Sequence, residues 1–328
     1  MRKKTKGIVA FGLSAAMVLA LIPHMNTYAD TETLDVVKQS EFADKNLYAF
    51  VKNAGDDNGD GILTREEAEN ITYLDFSREG ITIDDFTGLT NLKNLTSVDL
   101  YINDDKSVGN FVDNVYDKSK ITYISVEGRE ISDAQFNRIA ELENLTSLAV
   151  GLEDGSVICN PDLKFNDKIK YLRVKCFGDF SVDYLKYFSS IESLNIYDGY
   201  LKEADKLNDY EHLKCLHISV YNSDCDSIIV PDSVKDLYLE FYNDAGVEVD
   251  LNNSDLEFLS LIRCKNIDLT KIEQMSSLSQ LHLDNCTIKD DKDSIDFTKN
   301  AKLSNILLND LKIKNITGIK DIFLFSFI

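Results

Sequence analysis

A six-residue pattern, apolar at its first, fourth and sixth places and mostly polar between, recurs along this chain from Ile71 to Leu308. It first reads Ile71-Thr72-Tyr73-Leu74-Asp75-Phe76, then Leu95-Thr96-Ser97-Val98-Asp99-Leu100 and Ile121-Thr122-Tyr123-Ile124-Ser125-Val126. Later copies begin at Leu145, Ile169, Ile191, Leu213, Val234, Leu256, Leu278 and Leu303, so eleven copies stand 21 to 26 residues apart. In an extended strand alternate side chains share a face: places four and six point inward, while three, five and seven point to solvent. One such strand cannot bury its apolar row alone. Stacking each copy on the next builds a parallel sheet over a continuous core, so the array is one unit and not a string of domains.

An L-x-x-L-x-L core at a period of about 20–29 residues resembles the leucine-rich repeat. The residues between strands must climb back over the outside. Ser132 to Leu142 and Val182 to Phe188 have the spacing of amphipathic helical returns, while Val220 to Pro231 reads as a loop. The ninth place is Asn103, Cys264 or Cys286 in three copies, where a polar group satisfies backbone at the turn, but Phe177, Tyr221 and Tyr242 in others. Ile319 to Leu324 resembles a twelfth strand, only 16 residues after Leu303.

The N-terminus carries Arg2, Lys3, Lys4 and Lys6 and no acid before an apolar run from Ile8 to Ile22, broken by Pro23. Thr27-Tyr28-Ala29 offers a small-residue cleavage site, so residues 1–29 read as a signal peptide cleaved after Ala29. The mature chain is expected to be secreted or at the cell surface, without membrane insertion. Residues 30–39 read as a linker. From Phe42 to Val51 the spacing is helical, with Ala43, Leu47, Phe50 and Val51 on one face and Gly55 ending the helix. The formal net charge of -21 argues against nucleic acid and anionic membranes as partners and favours cations.

Asp56 to Glu67 match D-x-[DN]-x-[DN]-G-x5-E at every specified place. A Ca2+ ion takes six to eight oxygens. Asp56, Asn58 and Asp60 would supply side chains, Ile62 a carbonyl, Thr64 a ligand or water contact, and Glu67 a bidentate carboxylate. Gly61 allows the sharp turn, and Thr64 with Glu67 forms a capping box opening a helix from Arg65 to Asn70. The expectation is a structural Ca2+ of modest affinity, since sensors usually pair two such loops. Residues 40–70 are then a helical cap with an EF-hand-type calcium loop, and residues 71–328 a repeat domain of about eleven repeats with an irregular C-terminal coil. The fold class expected is an α/β solenoid: a leucine-rich-repeat horseshoe with a parallel concave β-sheet and short helices or loops on the convex side.

Phe42 to Asn46, the Asp56–Glu67 loop, Ala68 to Phe76, Leu89-Thr90-Asn91-Leu92 and Leu95-Thr96-Ser97 together resemble the N-terminal cap of internalin-like surface proteins of Gram-positive bacteria. That resemblance implies a solenoid whose concave face binds another molecule, often a host protein. The chain departs from those proteins in lacking their wall-anchoring tail and the immunoglobulin-like module after their repeats. The calcium loop also resembles half of a dockerin, which docks enzymes onto extracellular scaffolds. Dockerins use two loops, commonly with Asp at the twelfth place.

Catalysis has little support. Cys215 and His217 share a face, but nothing in the pattern orients the imidazole, and an open sheet implies no pocket. His217 and His282 lie three coils apart, about 15 Å at usual strand spacing. Cys264 and Cys286 fall at equivalent sites of adjacent coils, as two buried thiols or a cross-coil disulfide. Places two, three, five, seven and eight are expected to project on the concave face. Several are aromatic: Tyr73, Tyr101, Tyr123, Tyr171, Tyr197, Tyr238, Phe241 and Phe258. Exposed Tyr on a rigid sheet anchors protein or carbohydrate partners. The function expected is that of a non-catalytic, monomeric, adhesin-like binder of a protein or glycan. The alternative is calcium-dependent docking into an extracellular enzyme complex.

Overall fold

The computed structural model describes residues 35–77, 83–102, 104–128, 131–152, 167–176, 178–243, 246–252, 255–319 and the backbone of 323–325. The signal peptide expected at residues 1–29 lies outside the described residues, as do Asn103, Cys159 and Phe177.

The N-terminal cap begins earlier than its sequence suggests. Val36 forms an antiparallel bridge with Thr64, the Val37 amide donates to the Leu63 carbonyl at 2.8 Å, and Val37 is buried. Residues 35–39 are therefore part of the cap and not of a linker. Two adjacent apolar residues among polar ones give no periodicity, which is why the segment looks like a tether. Arg65 fastens it from outside, pairing with Glu41 at 2.8 Å and Asp35 at 3.5 Å.

Helix α1, Lys45–Gly55, starts at Asp44, whose carboxylate accepts from the Asn46 and Leu47 amides. The cap places Ala43 outside the helix and exposed, contrary to its expected place on the inner face. Leu47, Val51 and Gly55 are buried, and Phe50 packs against the same core on Phe76. Helix α2, Arg65–Asn70, has the bounds the capping box indicates, with Thr64 and Glu67 satisfying each other's backbone amides.

Beyond α2, the described residues form one parallel sheet of twelve strands. They are β1 Tyr73–Asp75, β2 Ser97–Ile102, β3 Tyr123–Gly128, β4 Ser147–Leu152, β5 Tyr171–Lys175 and β6 Ser193–Tyr197. Then come β7 Cys215–Val220, β8 Asp236–Phe241, β9 Phe258–Ile262, β10 Gln280–Asp284, β11 Asn305–Asn309 and β12 Phe323–Phe325. Place four of each copy pairs with place four of the next, from Leu74 with Val98 to Leu281 with Ile306. This register places each apolar row on the row before it, so the core runs unbroken along the array. Fully burying one such Leu or Ile contributes roughly 1.5–3 kcal/mol before chain entropy is counted. The chain is a leucine-rich-repeat solenoid.

The twelfth strand exists in a different frame. Phe323 pairs with Asn305, a third-place residue, so the strand lies two residues later than a copy starting at Ile319 would put it. Asn315–Thr317, just before it, belongs instead to a convex strand pair with Ser294–Asp296.

Returns between strands divide by length. Ser107–Asn114 is a full α-helix burying Val108, Phe111 and Val112. The Ser132–Leu142 return is helical, α over Asp133–Phe136 and then 3-10 over Asn137–Glu141. Val182–Tyr187 is 3-10 throughout. The return expected as a loop carries strands Asn222–Ser223 and Ser227–Ile229, each paired with a neighbouring coil. Such two- and three-residue strands are too short to show an alternation. Among the described residues no helix is long and apolar enough to cross a membrane.

Candidate functional site

The Asp56–Glu67 loop closes on itself through its own amides. Asp56 Oδ2 accepts from the Gly61 amide at 2.9 Å, Asn58 Oδ1 from Asp60 at 2.8 Å, and Asp60 Oδ1 from Ile62 at 2.7 Å. Gly59 and Gly61 sit at φ 71° and 80°, the left-handed region where a side chain is strained. Glu67 Oε2 accepts from both the Thr64 amide, at 2.9 Å, and its hydroxyl, at 2.8 Å. Ile62 is exposed, with its carbonyl the group the motif uses, and Leu63 is buried beneath it. Among the described residues no three His, Cys, Asp or Glu side chains converge closely enough to hold a metal ion. One feature fits a cation: Asp56 Oδ1 is buried with no hydrogen-bond partner, in a loop whose donors are all hard oxygens.

On the concave face, Tyr73 and Tyr171 are about half exposed, at 48% and 50%. Tyr101, Tyr123, Tyr197, Tyr238 and Phe258 are partly covered by their neighbours. Phe241 is not on this face. It is fully buried, because β8 keeps its alternation through place eight and turns Phe241 inward, as β2 and β7 do with Ile102 and Val220. Place eight belongs to the core on β2, β7 and β8.

The tyrosines divide by their hydroxyl partners. Tyr73 donates to Asp99, and burial together with that carboxylate pushes Tyr123 up to about 12. Tyr238 donates to Glu240 Oε2 at 2.7 Å, and burial with that contact raises its pKa. Glu240 also accepts from Ser219 at 2.9 Å and Arg263 at 2.7 Å, which makes a bonded knot across β7, β8 and the turn after β9.

Two features of the surface escape the repeat reading. Tyr200, Tyr221 and Tyr242 stand in file where the chain leaves β6, β7 and β8, with successive ring centroids 6.0 and 5.4 Å apart. Their spacing of 21 residues was the available signal, hidden because Tyr221 and Tyr242 counted only as departures at the ninth place. The second is Arg173, at place five of β5, with its guanidinium carbon 5.1 Å from the Tyr197 ring centroid. Cys264 and Cys286 match expectation better: their thiols donate to the Leu239 and Leu261 carbonyls of the preceding coil, at 3.8 and 3.3 Å. Both are free thiols, and burial pushes Cys264 well up.

The imidazole of His217 is oriented after all, by Asp236 Oδ1 at 2.9 Å from Nε2 on the adjacent strand. It turns toward that carboxylate. Burial first, then the charge of Asp236, raises the Cys215 thiol, the opposite of what activates a nucleophile.

No protein-family model and no curated protein sequence matches the chain. Among solved structures it is similar to an internalin C2 of Listeria monocytogenes, at 16% identity over 86% of this chain and 100% of that one, with a TM-score of 0.39. A second internalin of that organism, inlF, gives 16% identity over 91% and 99%, with a TM-score of 0.44. The leucine-rich-repeat ectodomain of the plant membrane receptor kinase GASSHO1/SCHENGEN3 of Arabidopsis thaliana was solved with CASPARIAN STRIP INTEGRITY FACTOR 2. It gives 12% identity over 72% of this chain and 37% of that one, with a TM-score of 0.32. The assignment of this fold rests on the chain's own sheet and register.

Proposed function

We propose that this chain is an exported, non-catalytic binding protein whose concave sheet recognises a partner protein. The observation that carries the reading is a rigid twelve-stranded sheet presenting Tyr73 and Tyr171 half exposed, with Tyr101, Tyr123, Tyr197 and Tyr238 beside them. Tyrosines offer large amphipathic contact area at low entropic cost, and a sheet locked by its register loses nothing further on binding.

In the same reading the Asp56–Glu67 loop holds a structural Ca2+. Asp56, Asn58, Asp60 and Glu67 would supply side-chain oxygens, Ile62 a carbonyl, and Thr64 a direct or water-bridged contact. The ion would supply positive charge among five closely spaced carboxylates, Asp56, Asp57, Asp60, Glu66 and Glu67. Leu63, Ala68 and Ile71 are buried in the same core as the repeats, which supports a cap fused to the solenoid over a free docking module.

The test is a phage-displayed random peptide library and a glycan array, both probed with the tagged full chain. Replacing Tyr171, Tyr197 and Tyr238 together by Ser is expected to keep the circular dichroism spectrum and to weaken recovered binders about 100-fold. Binders indifferent to all three changes would place recognition elsewhere.

A further inference from the structure

The concave face is segregated by charge. Toward the N-terminus it presents Asp75, Asp99 and Glu127, and toward the C-terminus Asp236, Glu240 and Asp284. Between them, the outward places of β4, β5 and β6 hold no carboxylate at all. In a chain with 56 acids against 35 Lys and Arg, that gap coincides with the Arg173 guanidinium.

Arg173 differs from the other described arginines. Arg65, Arg138 and Arg263 are each paired with carboxylates. Among the described residues Arg173 has no carboxylate partner, and its guanidinium lies over the Tyr197 ring. Register sets it beside Ala149 on β4 and Asn195 on β6. On the β4 side Ser147, Ala149 and Gly151 are small, Ala149 is buried and the Glu127 side chain lies over Gly151, and the Arg173 charge is felt by Tyr123 on β3. Lys175 adds positive charge at the next outward place of β5, where it too is exposed. A guanidinium oriented by an aromatic ring and exposed to solvent presents its donor fork ready for a planar anion.

We infer that the centre of the concave face is a carboxylate-recognition site, with Arg173 as its anchor, for an acidic side chain on an extended segment of a partner protein. The proposal rests on the concave-face reading above and names the chemistry of its occupant. Peptide is favoured over acidic glycan because the Arg173 guanidinium already lies over the Tyr197 ring, the face on which a sugar would stack. The acidic flanks fix register: a carboxylate placed two or three strands away from β5 meets like charge.

Twelve-residue peptides displayed on phage are selected on the full chain, and single synthetic peptides are then titrated by fluorescence polarisation. The expected result is enrichment of Asp or Glu at one peptide position. Arg173→Gln should weaken those peptides tenfold or more, and Arg173→Lys, which keeps charge and loses the planar fork, by less. Because Arg173 is exposed, both variants are expected to melt as the parent does. A peptide set without acidic enrichment, or unmoved by Arg173→Gln yet lost in the Tyr171, Tyr197 and Tyr238 triple variant, overturns the carboxylate site and leaves the concave-face reading standing. Indifference to all variants overturns both. Oligogalacturonate binding that depends on Arg173, with no peptide selected, overturns the protein occupant in favour of an acidic glycan.

Discussion

The coils from Ile71 to Ile169 take 24 to 26 residues each, and those from Ile169 to Leu278 take 21 or 22. Their inner strands are alike; their returns are not. An α-helix advances about 1.5 Å per residue and a strand about 3.3 Å, so a helical return consumes more chain over the same path. The long coils can hold Ser107–Asn114 as a helix. The short ones cross on 3-10 turns, the one-turn α-helix Leu269–Ile272 and brief strands, three of which pair sideways as the Asp179–Ser181, Tyr200–Lys202 and Asn222–Ser223 sheet. The second-place row changes with them. In the long coils Thr96 donates to the Thr72 carbonyl at 3.1 Å, and in the short ones Glu192 bridges Lys170 and Lys214 at 2.9 and 2.6 Å. Two or three residues per coil thus decide how the outside is built while the inside stays fixed.

Whether the two kinds of coil unfold as one unit is the sharpest question this contrast raises. Phe111, in a helical return, and Phe241, at the end of β8, are both fully buried. Each Phe→Ala change should cost about 3–5 kcal/mol. In urea, one shared transition moved by either change means the halves are coupled. Two transitions, each moved by only one change, would break the array at its change of period.

Calcium should act on one side of that contrast. With a dissociation constant of about 10^-4 to 10^-3 M, typical of extracellular modules, 10 mM CaCl2 would add about 1.4–2.7 kcal/mol. Thermal melts with CaCl2 and with chelator measure it, and Glu67→Gln should remove most of the difference. Equal melts in both conditions would remove the ion from the cap. If the coils unfold separately, only the transition of the long coils should respond.

The repeat fixed much of this in advance, because a period of two within a period of 21 to 26 leaves little freedom. It located β1 to β11 and the inward places four and six. What it missed lies where tertiary packing overrides pattern. Phe241 looked like a surface aromatic because the six-residue motif stops before place eight, although the strand does not. Val37 gave no signal because its partner, Leu63, lies across the loop. Arg173 was passed over because its distinction is the absence of acids on neighbouring strands, a property of register invisible along the chain.

The tyrosine file belongs to the short coils alone, and Tyr221 is its middle member, packed on Tyr200 and Tyr242. Tyr221→Ala should cost about 2 kcal/mol, since it removes two aromatic pairs that contribute roughly 0.5–1.5 kcal/mol each. The urea midpoint reads this directly. A change well above about 3 kcal/mol would mean that the file, and not the apolar core alone, holds the short coils together.

The smallest effect expected is a pH dependence in the coil from Leu278 to Leu303, just beyond the short coils. His282 on β10 has Nδ1 3.1 Å from Ser260 Oγ, while its Nε2 is buried without a hydrogen bond. Burial lowers its pKa from 6.5, opposed by the charges of Asp284 and Glu240. Above pH 6.5 the ring is neutral in folded and unfolded chains alike, and its contribution to stability is fully present. As pH falls below 6.5 the unfolded chain takes up the proton more readily, so that contribution is lost progressively down through the folded pKa. Other carboxylates titrate in part of this window, and His282→Gln subtracts them because it changes the imidazole alone. The stability difference between parent and His282→Gln should therefore fall between pH 7.5 and pH 5 in urea titrations. A difference that stays constant would mean the ring gains a proton as easily in the sheet as in the open chain, and a difference that grows would mean Asp284 and Glu240 outweigh burial.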